Sequence, residues 1–335
     1  VRRILIPITA VIAITLALGL LVGGVSSSTA MSVNGQSVST STVDAQLAAI
    51  KASPGYTCYL KIANILRTES VAAAKVTPEG ATPANYSSEW VASWLNQEIS
   101  NLLTGQAVAK LGLPEPSQTA LAGAKQDLLS AMDDDISQAD NTQYQCKQTA
   151  AQIFAAMPAS FVNDQVRSQA LAEAFLVKHG GIGIDESSVA DYYNANTSSF
   201  DTLCVSAIEV SDSSVAAEVT AGLAAGKTFA QLAAEYSEDS SAATTGGALG
   251  CYSPTSQSYA GLSSLVGTLK AGQVSPLETV GSTQAIFMVT SRTQTPFSQI
   301  ASVVRRTILA KDATKTNAVA DALERSASVT VTPRY

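Results

Sequence analysis

Apolar and polar positions follow several different periods along this chain. From Ile4 to about Val25 they scarcely alternate, and apolar residues dominate throughout. Met31–Val38 then alternates briefly, with a turn signal at Asn34–Gly35, which predicts a short strand and its return. From there to about residue 179 the apolar residues recur at three- and four-residue steps. The spacing predicts helices over about 43–52, 58–75, 84–110, 117–135, 142–156 and 158–179. Ser39 to Ser41 supply the cap of the first helix. Pro54–Gly55, Pro78 to Pro83 and Pro114 to Pro116 separate the segments.

The period changes after a helix beginning near Asp185 and ending near Phe200. Val205–Val210 alternates as a strand, and Val215–Leu223 reads as a helix stopped by Ala225-Gly226-Lys227. Phe229, Leu232, Ala233 and Tyr236 stand at i, i+3, i+4 and i+7, one face of a second helix. Gly246–Gly247 marks a tight turn or a close backbone approach, and a strand-like segment opens at Leu249. Leu265–Leu269 reads as a short helix, and Ala271–Pro276 as a turn into an extended segment. Ala285–Arg292 reads as a buried strand. The order is β-α-α-β-α-β-β. Beyond it, Pro296–Arg325 reads as one long helix and Ser328–Tyr335 as a strand able to pair with Val33–Val38.

The run F-A-Q-L-A-A-E-Y-S-E-D-S-S-A from Phe229, then G-G-A-L-G at 246–250 and L-K-A-G-Q-V-S-P at 269–276, resembles the parvulin-type (rotamase) peptidyl-prolyl isomerase domain. The V-N-G-Q-S-V-S segment at 33–39, followed by helices, is similar to the start of the SurA/PrsA class of exported foldases. The resemblance implies an α+β protein with four parts: a leader at 1–30, a helical chaperone-like domain at 31–200, an inserted parvulin-like domain at 201–294, and a 295–335 segment packing back on the helical domain. It also implies unfolded or proline-containing polypeptides as partners, and no cofactor.

The family's functional positions carry over unevenly. Ala207 stands where the first strand has a histidine, and Gln284 or Ala285 where the last strand has another. Ala248 replaces the acidic residue of the glycine motif. The proline-pocket positions fall near Ser258 and Leu262. Asp239 remains, at a position where the family has Asp or Cys. Prolyl isomerisation needs no nucleophile, because a site that favours the twisted amide lowers the barrier by differential binding. The resemblance therefore implies Asp239 as the electrostatic group. Leu262, Phe287, Tyr252, Ala207 and Ala285 are then the candidates for the substrate surface.

Composition narrows the alternatives. Charged residues make up 14% of the chain and the formal net charge is −7, with no basic stripe, which argues against nucleic acid as a partner. Arg2 and Arg3 ahead of the apolar run predict a signal peptide or a membrane anchor with the remainder outside the cytoplasm. Ser28-Thr29-Ala30 offers a small-x-small cleavage site. Export favours disulfides among Cys58, Cys146, Cys204 and Cys251, for which three connectivities exist. Pairing within the proposed domains gives Cys58–Cys146 and Cys204–Cys251.

No C-x-x-C occurs and His179 is the single histidine, so a metal site is not expected. His179 is explained by a helix end with Gly180 as its left-handed cap. Asp133–Asp135 lacks the spacing of a calcium loop and reads as a solvated helix end. Three functions fit: a foldase with isomerase character, a catalytically inactive parvulin-like module that binds polypeptide, and an envelope-anchored assembly protein with a dedicated partner.

Overall fold

The computed structural model describes residues 28–68, 86–139, 146–256, 258–280 and 283–331. The apolar leader therefore lies outside the described residues. So do the expected helical extensions at 69–75 and 142–145. No helix among the described residues is long and apolar enough to cross a membrane.

In chain order the elements are β1 (Thr29–Val33), β2 (Gln36–Ser39), α1 (Thr40–Lys51), α2 (Pro54–Thr68), α3 (Ser88–Lys110), α4 (Gln118–Ala139), α5 (Ala150–Ala155), α6 (Ala159–Lys178) and α7 (Glu186–Ala195). A 3-10 turn, Thr197–Phe200, leads into β3 (Asp201–Val210), α8 (Ser213–Ala224), α9 (Phe229–Tyr236), α10 (Ala242–Thr245), β4 (Ala248–Tyr252), α11 (Tyr259–Val266), β5 (Val274–Val280) and β6 (Thr283–Gln294). The chain ends in α12 (Phe297–Lys311), α13 (Ala313–Arg325) and β7 (Val329–Val331). The class is α+β. Described residues up to Val189 and from Arg305 onward form one unit, and Ala190–Val304 form another.

The helical unit is closed by both ends of the described chain. Asn34 and Gly35 take positive φ, 51° and 84°, and fold β1 back onto β2. The strand expected at the C-terminus forms over Val329–Val331 and pairs with Met31–Val33 of β1. Of the expected 33–38 only Val33 is a partner, because the chain turns at Asn34–Gly35 and 36–38 lie in β2 on the far edge of β1. Asn34 ties the junction together. Its N–H donates to the Ser328 carbonyl and its Oδ1 accepts from the Ser328 N–H, each at 2.8 Å. Its side-chain amide donates to Gln106 Oε1 on α3 at 2.9 Å. Thr29 and Ala30, expected at a processing site, open β1, and Ala30 is fully buried.

Beneath the hairpin, Val43, Leu47 and Ile50 of α1 pack with Val91, Leu95, Ile99 and Leu103 of α3. A second cluster joins Ile62 of α2, Leu128 and Met132 of α4, Ile153 of α5 and Val166 of α6. Cys58 and Cys146 are bridged, with Cα atoms 5.8 Å apart, which ties α2 to the segment entering α5.

Two helix ends differ from expectation. The segment 296–325 is broken at Asp312, whose φ of −97° and ψ of 19° leave the helical region, so α12 and α13 are separate. The left-handed residue after α6 is Gly181, with φ 58°, not Gly180. His179 continues the helix as its cap, stacked on Phe175 at 4.9 Å. A Cβ on Gly180 would lie 2.6 Å from the Leu176 carbonyl oxygen, so that glycine is kept by contact rather than by φ.

The second unit is a four-stranded antiparallel sheet in the order β4-β3-β6-β5. The expected short helix at 265–269 lies earlier, as α11. Alternation along β3 and β6 sends successive side chains to opposite faces. On one face Ile208, Val210 and Ile286 pack under Ala216 and Val219 of α8 and Phe229, Leu232 and Ala233 of α9. The other face belongs to α11. β4 is stapled to β3 by Cys204–Cys251, which stand directly opposite in the ladder.

Candidate functional site

Five of the residues expected to form a substrate surface meet on the α11 face of the sheet. Ala207 of β3 is paired across the ladder with Phe287 of β6, and Ala285 stands two residues further along that strand. With Leu203, Val205 and Val289 they form one apolar cluster, covered by Tyr259, Leu262 and Val266 of α11, with Tyr252 packed against it. Two alanines at the centre leave room that the helix fills. Ala207, Leu262, Ala285 and Phe287 are all buried.

The double glycine explains why Ala207 is so closely covered. Gly246 and Gly247 have φ of 64° and 78°. A Cβ on Gly247 would lie 2.4 Å from the Ala207 carbonyl oxygen and 3.1 Å from Ala233 Cβ, so this position requires both the left-handed backbone and the missing side chain. The Gly247 carbonyl also accepts from the Ala207 N–H at 2.8 Å. Just beyond, Ala248 pairs with Ser206 and Gly250 with Val205, which leaves Leu249 as an additional residue on β4. The Leu249 carbonyl is taken by Tyr252 Oη at 3.1 Å. Tyr252 thus binds back to the bulged residue of its own strand while its ring packs against the cluster.

Asp239 lies apart from these residues, in the loop between α9 and α10. Its Oδ1 accepts from the Ser241 N–H at 2.9 Å and its Oδ2 from the Ser241 hydroxyl at 2.8 Å. Those two donors hold its carboxyl below the usual range. The loop is hooked to β3: the Glu238 N–H donates to the Glu209 carbonyl at 2.9 Å, and Ser237 Oγ accepts from the Glu209 N–H at 3.1 Å.

What fixes α11 over the sheet was not foreseen from the sequence. Tyr259 Oη donates toward the carbonyls of Asp201 and Ser199, at 2.8 and 3.1 Å. Arg292 Nε donates to Asp201 Oδ2 at 3.0 Å, while its Nη1 reaches the Gly267 and Leu269 carbonyls at 2.8 and 2.6 Å. Burial, and secondly the Asp201 charge, push the Tyr259 phenol up to about 12. A basic residue closing an otherwise apolar strand was the available signal for Arg292. Tyr259, adjoining Ser258 and Leu262, gave none.

Asp133–Asp135, read as a solvated helix end, lie inside α4 and have three separate partners. Asp133 Oδ1 accepts from the Ala150 N–H at 2.7 Å, Asp134 pairs with Arg306 at 2.8 Å, and Asp135, buried, accepts from Tyr59 Oη at 3.3 Å. A side chain every 100° around a helix cannot leave three successive residues on one solvated face. Among the described residues no group of histidine, cysteine or acidic side chains is arranged to hold a metal ion.

Residues 184–302 match the family model of the PPIC-type PPIASE domain. That span contains the whole four-stranded sheet and its helices. No curated protein matches the chain. Among solved structures, PrsA from Bacillus cereus is 18% identical, with 75% of this chain and 92% of that one covered, at a TM-score of 0.36. PrsA from Bacillus anthracis is 16% identical over 69% and 96%, at 0.29. A SurA-like chaperone from Campylobacter jejuni is 12% identical over 91% and 99%, at 0.30.

Proposed function

We propose that this chain is an extracytoplasmic folding factor that binds unfolded polypeptide, with a rotamase-type unit over 201–294. The helical unit, 31–200 completed by 295–335, is its chaperone body. The match of residues 184–302 to the PPIC-type domain carries this reading. Two disulfides support an oxidising compartment, and Arg2 and Arg3 ahead of an apolar run support export, with the leader either removed or kept as an anchor.

The action proposed is holding rather than turning. The candidate residues of the rotamase-type unit are apolar and packed under α11, with Ala207 at one histidine position and Gln284 or Ala285 at the other, and the Asp239 carboxylate is held by Ser241. A site filled in this way places no charged group beside a rotating amide, so polypeptide holding is proposed for the chain as a whole rather than for that cluster. The test uses the full chain. Light scattering of several unrelated unfolded clients is followed with and without the protein, beside a protease-coupled assay on a proline peptide. Suppressed aggregation without acceleration of the peptide supports the proposal. Absence of suppression for every client overturns it, in favour of a dedicated assembly partner.

The isomerase reading is favoured by one observation, the gathering of Ala207, Leu262, Ala285, Phe287 and Tyr252 on one sheet face. Asp239 is its electrostatic group. Acceleration of the peptide that is lost in Asp239→Ala establishes that reading.

A further inference from the structure

The helical unit contains a buried charge site with one acid too many. Asp127 on α4 is 1% exposed, and its Oδ2 accepts from Arg305 Nη1 on α12. Arg305 Nε donates to the Ile184 carbonyl at 3.1 Å. The guanidinium lies beside Gly123, where a Cβ would stand at an ordinary contact distance of 3.9 Å from both terminal nitrogens. The adjacent Arg306 pairs with Asp134 of α4 at 2.8 Å. Two guanidiniums and two carboxylates balance.

Glu173, on α6, is the additional carboxyl. Its Oε1 accepts from Gln169 Nε2 at 2.8 Å, and its side chain reaches Asp127. The other oxygen of Asp127, Oδ1, is buried and receives no hydrogen bond from the donors of the site. A protonated Glu173 supplies that donor and leaves the site neutral. An ionised Glu173 withdraws it and places an uncompensated negative charge beside Asp127, in a setting where unpaired charge is costly.

We propose that Glu173 is the proton-operated catch of a clasp in which Asp127 grips Arg305, and that ionisation of Glu173 loosens the segment from Arg305 to Val331 from α4 and α6. That segment includes β7, so the clasp governs how firmly the end of the chain closes the helical unit. Burial first, then the Asp127 charge, raises the Glu173 carboxyl to about 8, against the pull of Arg305. The Asp127 carboxyl is itself raised by burial against Arg305 and Arg306. The remaining charged groups facing the site are Asp134 and Asp135 of α4, the latter held by Tyr59 of α2. A folded value above the unfolded one means that stability is complete below the ordinary glutamate range and is lost as pH rises toward 8.

The test follows the full chain by hydrogen exchange, corrected for intrinsic rates, and by denaturant unfolding from pH 5 to 8.5. Each pH unit in this window lowers the folded-to-unfolded ratio by up to about tenfold per proton. Protection in 305–325 falls first. Glu173→Gln keeps the donor at all pH values, so it removes about one proton's worth of that dependence and keeps 305–325 protected at pH 8. In Asp127→Asn the Asp127 charge is removed while burial remains, so the Glu173 titration moves down toward the ordinary range without reaching it. Carboxyl NMR of Glu173 in the unaltered chain reads the same group directly. A Glu173 titration near 4.5, an unchanged pH slope in Glu173→Gln, or exchange rising uniformly across the unit overturns the clasp.

Discussion

The two units handle enclosed charge in opposite ways. In the sheet unit, both apolar clusters consist of hydrophobic side chains, and the enclosed Asp201 is matched by Arg292, with both side chains 15% exposed. Its shifted carboxyls, Asp212, Glu235 and Asp239, lie at the surface and are lowered by hydrogen bonds from Ser214, Lys227 and Ser241. In the helical unit Glu98, Asp127, Asp134, Asp135 and Glu173 are raised, each chiefly by burial. In one unit the shifted carboxyls lie at the surface. The other is assembled around carboxyl groups that fold best when some of them are neutral.

The largest expected effects separate the units by covalent means. Cys58 and Cys146 are 88 residues apart and Cys204 and Cys251 are 47 apart. In the chain-entropy account, opening these loops costs about 4–5 and about 4 kcal/mol respectively. Calorimetry of Cys58→Ser/Cys146→Ser is expected to lower one transition, and Cys204→Ser/Cys251→Ser the other. A single transition lowered equally by both pairs denies that the units melt separately. The next effect is Arg292→Met, which strands Asp201 and frees the Gly267 and Leu269 carbonyls. A loss of about 3 kcal/mol is expected in the sheet unit, read from denaturant unfolding.

Proton dependence between pH 5 and 8 comes third and is expected in one unit only. Burial raises Glu98 and Asp135 to about 7 each, well above their unfolded values. Their contribution is therefore complete below about pH 4 and is lost as pH rises toward 7. The slope is at most about 1.4 kcal/mol per pH unit for each proton. The transition of the helical unit should fall between pH 5 and 8 while that of the sheet unit stays level. Asp135→Asn should flatten part of the slope. On the acid side both units respond, because Asp185 and Glu115 of the helical unit, like Asp212, Glu235 and Asp239 of the sheet unit, are lowered by hydrogen bonds that are lost only as pH falls below the ordinary carboxylate range.

Legibility in the sequence divides along the same line. Period and turn chemistry are local, and they located β3, α8, α9, β6 and the Asn34–Gly35 turn. The glycine pair at 246–247 was legible as a demand for positive φ or close approach, and both hold at Gly247. The substrate-surface candidates came from a resemblance, and they meet on one face because strand alternation is a rigid rule. Buried charge was not legible. Asp133–Asp135 resembles a solvated stretch because nothing near it in the chain announces Arg306, Tyr59 or the Ala150 N–H. Asp127, Glu173 and Arg305 are separated by up to 178 residues and become neighbours only when the chain returns. Asp312 looks like any other residue of a charged helix, yet it ends one.

The smallest prediction asks whether the contrast extends to local helix chemistry, and it is expected not to. Each unit contains the same device. Thr149 caps α5 by accepting from the Gln152 N–H at 3.3 Å, and Gln152 Oε1 accepts from the Thr149 N–H at 2.9 Å. Thr228 and Gln231 do the same for α9, at 3.2 and 2.9 Å. Both boxes satisfy two orphan N–H groups reciprocally and carry no net charge. Thr149→Ala and Thr228→Ala should therefore each cost about 1 kcal/mol, each in its own unit, with no change in the pH slope of either. A Thr149→Ala variant whose cost varies with pH would mean that α5, whose first N–H is held by Asp133, belongs to the acidic network of the helical unit. The border between local and long-range chemistry would then lie inside that helix.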